Sequence, residues 1–162
     1  MTNREFFLQR RSMEQRSFNQ VFEAVKPDKL DWRPEPKARS ARELLGHLIG
    51  HEQDVLELLE HGEINHRMQV PFTDVNQAVD LFRKAYEAVK AQLESTDDAT
   101  WEQNNGKFIM DGKTVYEFPR RDLGWMLWFD SIHHRGQLST YLRPMGSKVP
   151  SIYGPSADSA AS

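Results

Sequence analysis

From Leu123 to Arg143 the chain carries no proline, and Leu123, Leu127, Leu138 and Tyr141 recur at helical intervals. That period is one face of an α-helix, so the segment reads as a long helix buried along one side. Asp130 and His134 fall on the same stripe, one turn apart and pointing the same way, with Gln137 beside them. Polar groups on a buried face need partners, so whatever packs against this helix must supply them.

Three further segments have the same period. Thr2 to Val25 offers Phe6, Phe7, Met13, Phe18, Val21, Phe22 and Val25 as an apolar face and stops before Pro27. Lys26 to Arg39 holds Pro27, Pro34 and Pro36 and reads as a structured loop, with Trp32 tucked against the body. Ser40-Ala-Arg-Glu43 is a capping box that opens a helix to about Glu60, closed by Gly62. Its inner face is Leu44, His47, Leu48, His51, Val55, Leu58 and Leu59, so two histidines interrupt this stripe as well. After a polar loop from His61 to Thr73, a helix capped by Thr73 or Asp74 runs to about Glu94 and buries residues such as Val75, Leu81, Phe82 and Tyr86.

Ser95 to Pro119 is the longest connection. Thr100-Trp-Glu-Gln and Phe108 to Phe118 suggest short extended pieces around an Asp111-Gly112 turn, a small hairpin or an ordered loop. Asp122 lies near the start of the last helix, and Pro144 and Gly146 close it. The fold class is therefore all-α, a four-helix bundle with long ordered loops. Residues 1–155 are expected to make one domain, with Ile152 and Tyr153 packing back, and 156–162 to fray.

Composition narrows the function classes. A chain of 162 residues should bury roughly 70% of its unfolded surface, enough for a full core. Net charge is -3 with no long basic run, which argues against a nucleic-acid partner. The absence of cysteine excludes disulfides, thiolate nucleophiles and thiolate metal sites. The longest apolar run, Leu123 to Phe129, falls far short of a membrane span, and charges occupy the N-terminus where a signal peptide needs an apolar core. A cytoplasmic protein without a membrane partner is the expectation.

Two facing helices thus each put a pair of metal-capable side chains on a buried face: His47 with His51, and Asp130 with His134. Imidazole and carboxylate suit zinc, nickel, iron(II) or manganese, and three such ligands with an open position make a reactive site. The plainer alternative is a hydrogen-bonded Asp130–His134 pair without metal. His61 and His66 read as solvent-exposed, His133 as flanking, and Glu52 and Asp54 as lying on a solvated or helix-pairing face. Trp125, Trp128 and Phe129 read as core or dimer contacts, and Gly136 as a place where another backbone comes close.

His133-His-Arg-Gly-Gln-Leu-Ser-Thr-Tyr-Leu-Arg143 with Val149-Pro-Ser-Ile-Tyr-Gly-Pro-Ser156 resembles the signature of the DinB family of damage-inducible bacterial proteins. Trp32-Arg-Pro and Arg39-Ser-Ala-Arg-Glu-Leu-Leu-Gly-His47 match the family's approach to its first ligand helix. The resemblance implies an up-up-down-down four-helix bundle, a homodimer, and a divalent metal held by His47, Asp130 and His134. Asp130 stands where many relatives have histidine. A carboxylate offsets one of the metal's charges, so bound water should be less acidified than at a three-histidine site.

Zinc or nickel is favoured, with iron or manganese chemically reasonable. His51, Gln137 and Tyr141 are the candidates for ligand contact or catalysis. The resemblance also implies thiol S-transfer with a small-molecule thiol. The alternatives are a metal-dependent hydrolase with His51 or Glu52 as base, and a non-enzymatic dimeric stress-response bundle with a structural metal.

Overall fold

The computed structural model describes residues 1–159. The helices are α1 (Asn3–Glu23), α2 (Ala41–His61), α3 (Val75–Ser95), the short α4 (Asp98–Gln103) and α5 (Arg120–Leu142), and the strands are β1 (Glu63–Asn65), β2 (Asn105–Met110) and β3 (Lys113–Pro119). The four long helices form the bundle, and the sheet caps one end. No described helix is long and apolar enough to cross a membrane.

Local chemistry sets the helix ends. Thr2 and Ser40 each accept from the third amide of their helix while Glu5 and Glu43 reach back, completing two capping boxes. Asp74, not Thr73, caps α3. Gly62 closes α2 in the left-handed region at φ 75°. The last helix begins earlier than expected, at Arg120, with Pro119 as its N-cap.

Contacts between helices fix their directions. Asn3 accepts from Trp125 and Glu14 pairs with Arg135, so α1 and α5 run the same way. Arg120 donates to Leu59 O and Tyr141 to Arg39 O, so α2 runs opposite to α5. Arg4 donates to Leu93 O and Arg83 pairs with Glu23, so α3 runs opposite to α1. The order reads up, down, down, up. This is the cyclic order of up-up-down-down, begun one helix later.

The expected hairpin is present between β2 and β3, turning at Asp111 and Gly112, which both have positive φ. Two elements differ from the sequence reading. Thr100-Trp-Glu-Gln lies within α4, capped by Asp97 with Trp101 fully buried, instead of being extended. The polar loop after α2 contains β1, which pairs in parallel with β2 through Ile64 and Phe108.

The core is aromatic along α1 and α5, where Phe7 meets Trp101 at 5.0 Å and Trp125 at 4.9 Å between ring centroids. Trp128 is core, but Phe129 is 63% exposed. Phe6 and Met13 are exposed as well, because the buried face of α1 runs through Phe7, Arg11, Glu14 and Phe18 instead. Apart from its own stretch of helix backbone, nothing described lies within 4 Å of the position a Cβ would take on Gly136, so the close backbone approach expected there is not made within the described chain.

Ile152 packs against the core and Arg135 donates to the Tyr153 hydroxyl at 2.6 Å, although the Tyr153 ring stays exposed. Ser156 to Ser159 form a hydrogen-bonded turn, and the rest of the tail expected to fray, residues 160–162, lies outside the described residues.

Candidate metal centre

His47 and His51 come from the middle of α2, and Asp130 and His134 from the facing turns of α5. One ligand atom each from His47, Asp130 and His134 lies within 4.8 Å of the others. The Nε2 atoms of His47, His51 and His134 stand 3.8, 3.4 and 3.4 Å from Asp130 Oδ2. All three imidazoles are largely buried, whereas Asp130 is 47% exposed, so the cluster opens to solvent along α5.

Each imidazole is oriented from behind. His47 Nδ1 lies 3.0 Å from Met68 O, a group that can only accept, so Nδ1 carries the proton. The loop reaches His47 because Gly46 and Gly50 flank it. A Cβ on Gly46 would stand 2.8 Å from Val70 O, and one on Gly50 would stand 2.9 Å from Arg67 O. His51 Nδ1 lies 3.1 Å from Ser131 Oγ, whose own proton goes to Leu127 O, so this ring also donates from Nδ1.

His134 Nδ1 donates to Gln137 Oε1 at 2.9 Å; Gln137 Nε2 donates to Tyr141, and Tyr141 to Arg39 O. Gln137 and Tyr141 therefore spend their polar atoms holding His134. This backing by carbonyl, hydroxyl and amide groups is how metal-binding imidazoles are commonly fixed.

With the Nδ1 protons committed, three Nε2 lone pairs and a carboxylate oxygen face one another. The nearest donor is Arg39, whose Nη1 reaches 3.4 Å from His134 Nε2. Asp130 lies below the ordinary carboxylate range, first through His134 and then His47, and is therefore ionised. The positive charge facing it must come from a proton added at an Nε2 or from a cation. Burial, reinforced by the neighbouring His47, lowers His51 to about 3 and keeps it neutral.

The donor set fits a divalent metal. Tetrahedral bonds of about 2.0–2.2 Å place ligand atoms about 3.3–3.6 Å apart, a spacing that His134 and Asp130 already have at 3.4 Å and His47 and Asp130 approach at 3.8 Å. His51 faces Asp130 but its ring lies 6.1 Å from that of His134, outside the triad.

Several sequence expectations change here. His61 is exposed as expected, but His66 is not: its side chain is 6% exposed and its Nδ1 meets Asp54 at 2.6 Å. Asp54 is fully buried, and burial raises its carboxyl above the usual range. Glu52 is buried in an ion pair with Arg11 across α1, at 2.5 Å, which removes it as a candidate base. For Glu52, of the two expected faces, solvated or helix-pairing, the helix-pairing one holds, because it pairs with Arg11 of α1.

The fold and the cluster define a class: four-helix bundles with a histidine–carboxylate site suited to a divalent metal. Within that class, the chain belongs to the DinB superfamily, whose family model matches residues 12–138. Its fold is similar to a DinB-like protein from Bacillus cereus at TM-score 0.76 and 20% identity, covering 92% of this chain and 97% of the other. It is also similar to YfiT from Bacillus subtilis, a probable metal-dependent hydrolase with an unusual four-helix bundle topology. That match has TM-score 0.64 and 16% identity, over 90% of this chain and 89% of YfiT. A third match is a mycothiol-dependent maleylpyruvate isomerase, at TM-score 0.58 and 12% identity, over 93% of this chain and 67% of the isomerase. At these identities the likeness concerns the fold. No curated protein matches the sequence.

Proposed function

We propose that this chain is a cytoplasmic, divalent-metal-dependent thiol S-transferase of the stress or detoxification type, with the metal held by His47, Asp130 and His134. The observation that carries the reading is the convergence of imidazole lone pairs on a carboxylate, with the imidazole protons committed elsewhere. A divalent ion bound there supplies Lewis-acid activation of a protic ligand. Asp130 offsets one of the ion's charges, which favours a ligand already close to ionisation: a thiol near pKa ~8.5 over water near ~15.7. Zinc or nickel suits two imidazoles and a carboxylate, with iron or manganese as alternatives.

Hydrolysis is the second reading, supported by the description of YfiT. It needs a base, and the chain argues against the two expected ones. His51 at about 3 is neutral but too weak to accept a proton efficiently at neutral pH, and Glu52 is locked to Arg11. A homodimer is part of the proposal, supported by the exposed Phe6 and Phe129 on either side of Trp125.

The test is thiol consumption with a model electrophile, using protein purified without a histidine tag. Metal-dependent consumption that is lost in His134→Ala supports transfer. Ester hydrolysis without thiol consumption supports the second reading. Absence of stoichiometric metal, with stability unchanged by chelator, contradicts both.

A further inference from the structure

Beside the metal cluster lies a cavity of about 480 Å³. Phe108, Met126, Leu127 and Phe129 supply its apolar lining, and His51, His66, Asp130 and His133 supply polar groups. Such a cavity suits a small molecule with an apolar body and one polar head.

His66 is the unassigned member. It follows β1, where its amide donates to Ile109 O at 3.0 Å, and its ring packs against Phe108 at 5.0 Å between centroids. Its side chain is more than nine-tenths buried, and its Nδ1 is held at 2.6 Å by the fully buried Asp54. Carboxylate pairing at Nδ1 places the proton there and leaves the lone pair on Nε2. Nε2 has no hydrogen-bond partner among the described residues, and it is not among the sealed polar atoms. The ring lies 5.8 Å from His47 and 6.0 Å from His51, so a head group reaching toward the metal cluster passes beside it.

We infer that the cavity is a binding site for a small ligand with an aryl or alkyl body and a protic head, thiol or hydroxyl, and that His66 Nε2 accepts the head's hydrogen bond. Asp54 is the positioning residue: it fixes the His66 tautomer, so the site accepts and does not donate. A thioether or ether of the same shape has no proton to give and is discriminated against. The inference depends on the proposed metal site only for what lies next to the head group.

The test uses the full chain, first metal-free in chelator. Nitrogen-15 imidazole spectra should show His66 protonated at Nδ1 and bare at Nε2, and benzyl alcohol should shift the Nε2 resonance together with the Phe108 ring signals. Benzyl methyl ether should bind more weakly by roughly three- to tenfold, the range one hydrogen bond provides. His66→Phe should erase that preference, while His66→Gln, which keeps an acceptor, should retain part of it.

Adding zinc separates the two heads: benzyl mercaptan should tighten and benzyl alcohol should not. A His66 protonated at Nε2, or equal affinity for alcohol and ether, overturns the inference. These wild-type measurements stand even if a variant fails to fold. If the Nε2 response appears but zinc does not bind, the metal-dependent function falls and this site stands. If zinc binds and Nε2 stays silent, the reverse holds.

Discussion

Neighbouring residues on α2 and α5 meet two different fates. Glu52 follows His51, and Arg135 follows His134, so each pair is split about 100° around its helix. On the α1 side, Glu52 meets Arg11 and Arg135 meets Glu14, both at 2.5 Å, and all four side chains are nearly sealed. Arg11 also lies over Trp128 and Arg135 over Phe18, at 4.8 and 4.7 Å. Charge there is matched one to one. On the other side, imidazole lone pairs and Asp130 face one another with the imidazole protons spent elsewhere. The matched side is structural. The unmatched side needs a proton on an imidazole or a cation, and its donor set fits a divalent cation.

The comparison is most vulnerable on its matched side. Glu52→Ala leaves Arg11 buried and unpaired, and should cost about 3–5 kcal/mol in chemical denaturation. Zinc affinity, measured by calorimetry on whatever fraction folds, should stay unchanged. If zinc affinity falls instead, Glu52 belongs to the site and the contrast fails.

On the unmatched side the effects should reverse. His47→Ala should weaken zinc binding beyond the ~10–100-fold typical of an outer partner, while metal-free stability changes little. Gln137→Ala removes the group holding His134 and should fall within that ~10–100-fold range. Equal effects from the two variants would mean that His47 is not a ligand.

Acid should also separate the two sides. His51 stays neutral in the folded protein down to about 3, while in the unfolded chain it takes up a proton near 6.5. The unfolded state binds more protons in that window, so this group's contribution to stability is lost as pH falls from 6.5 toward 3. Asp54, raised by burial, opposes this loss below its own folded value, while Asp130, which is lowered, adds to it in the ordinary carboxylate range, so His51→Phe should flatten the acid slope and not abolish it. Denaturation midpoints in chelator between neutral pH and pH ~4 measure this effect.

How much of this was legible in the sequence follows the same division. The long helices, the Ser40 cap and the Gly62 stop are local, and helical spacing alone placed His47, His51, Asp130 and His134 on facing stripes. β1 was hidden because three residues carry little pattern and its partner β2 is distant in the chain. Burial of Arg11 and Glu14 was hidden because charge reads as solvent exposure until its partner is known, and for the same reason Glu52 and Asp54 were left between a solvated and a helix-pairing face. His66 was missed for both reasons: it sits in a polar loop, and its partner Asp54 lies on another element, α2.

The most direct measurement is a crystal structure of the zinc-loaded, untagged protein with anomalous data across the zinc edge. One strong peak is expected between α2 and α5, within bonding distance of His47 Nε2, His134 Nε2 and an Asp130 oxygen, with Nδ1 of His47 still on Met68 O. A peak elsewhere, or none at stoichiometric zinc with Asp130 bonded to protonated imidazoles, would contradict it.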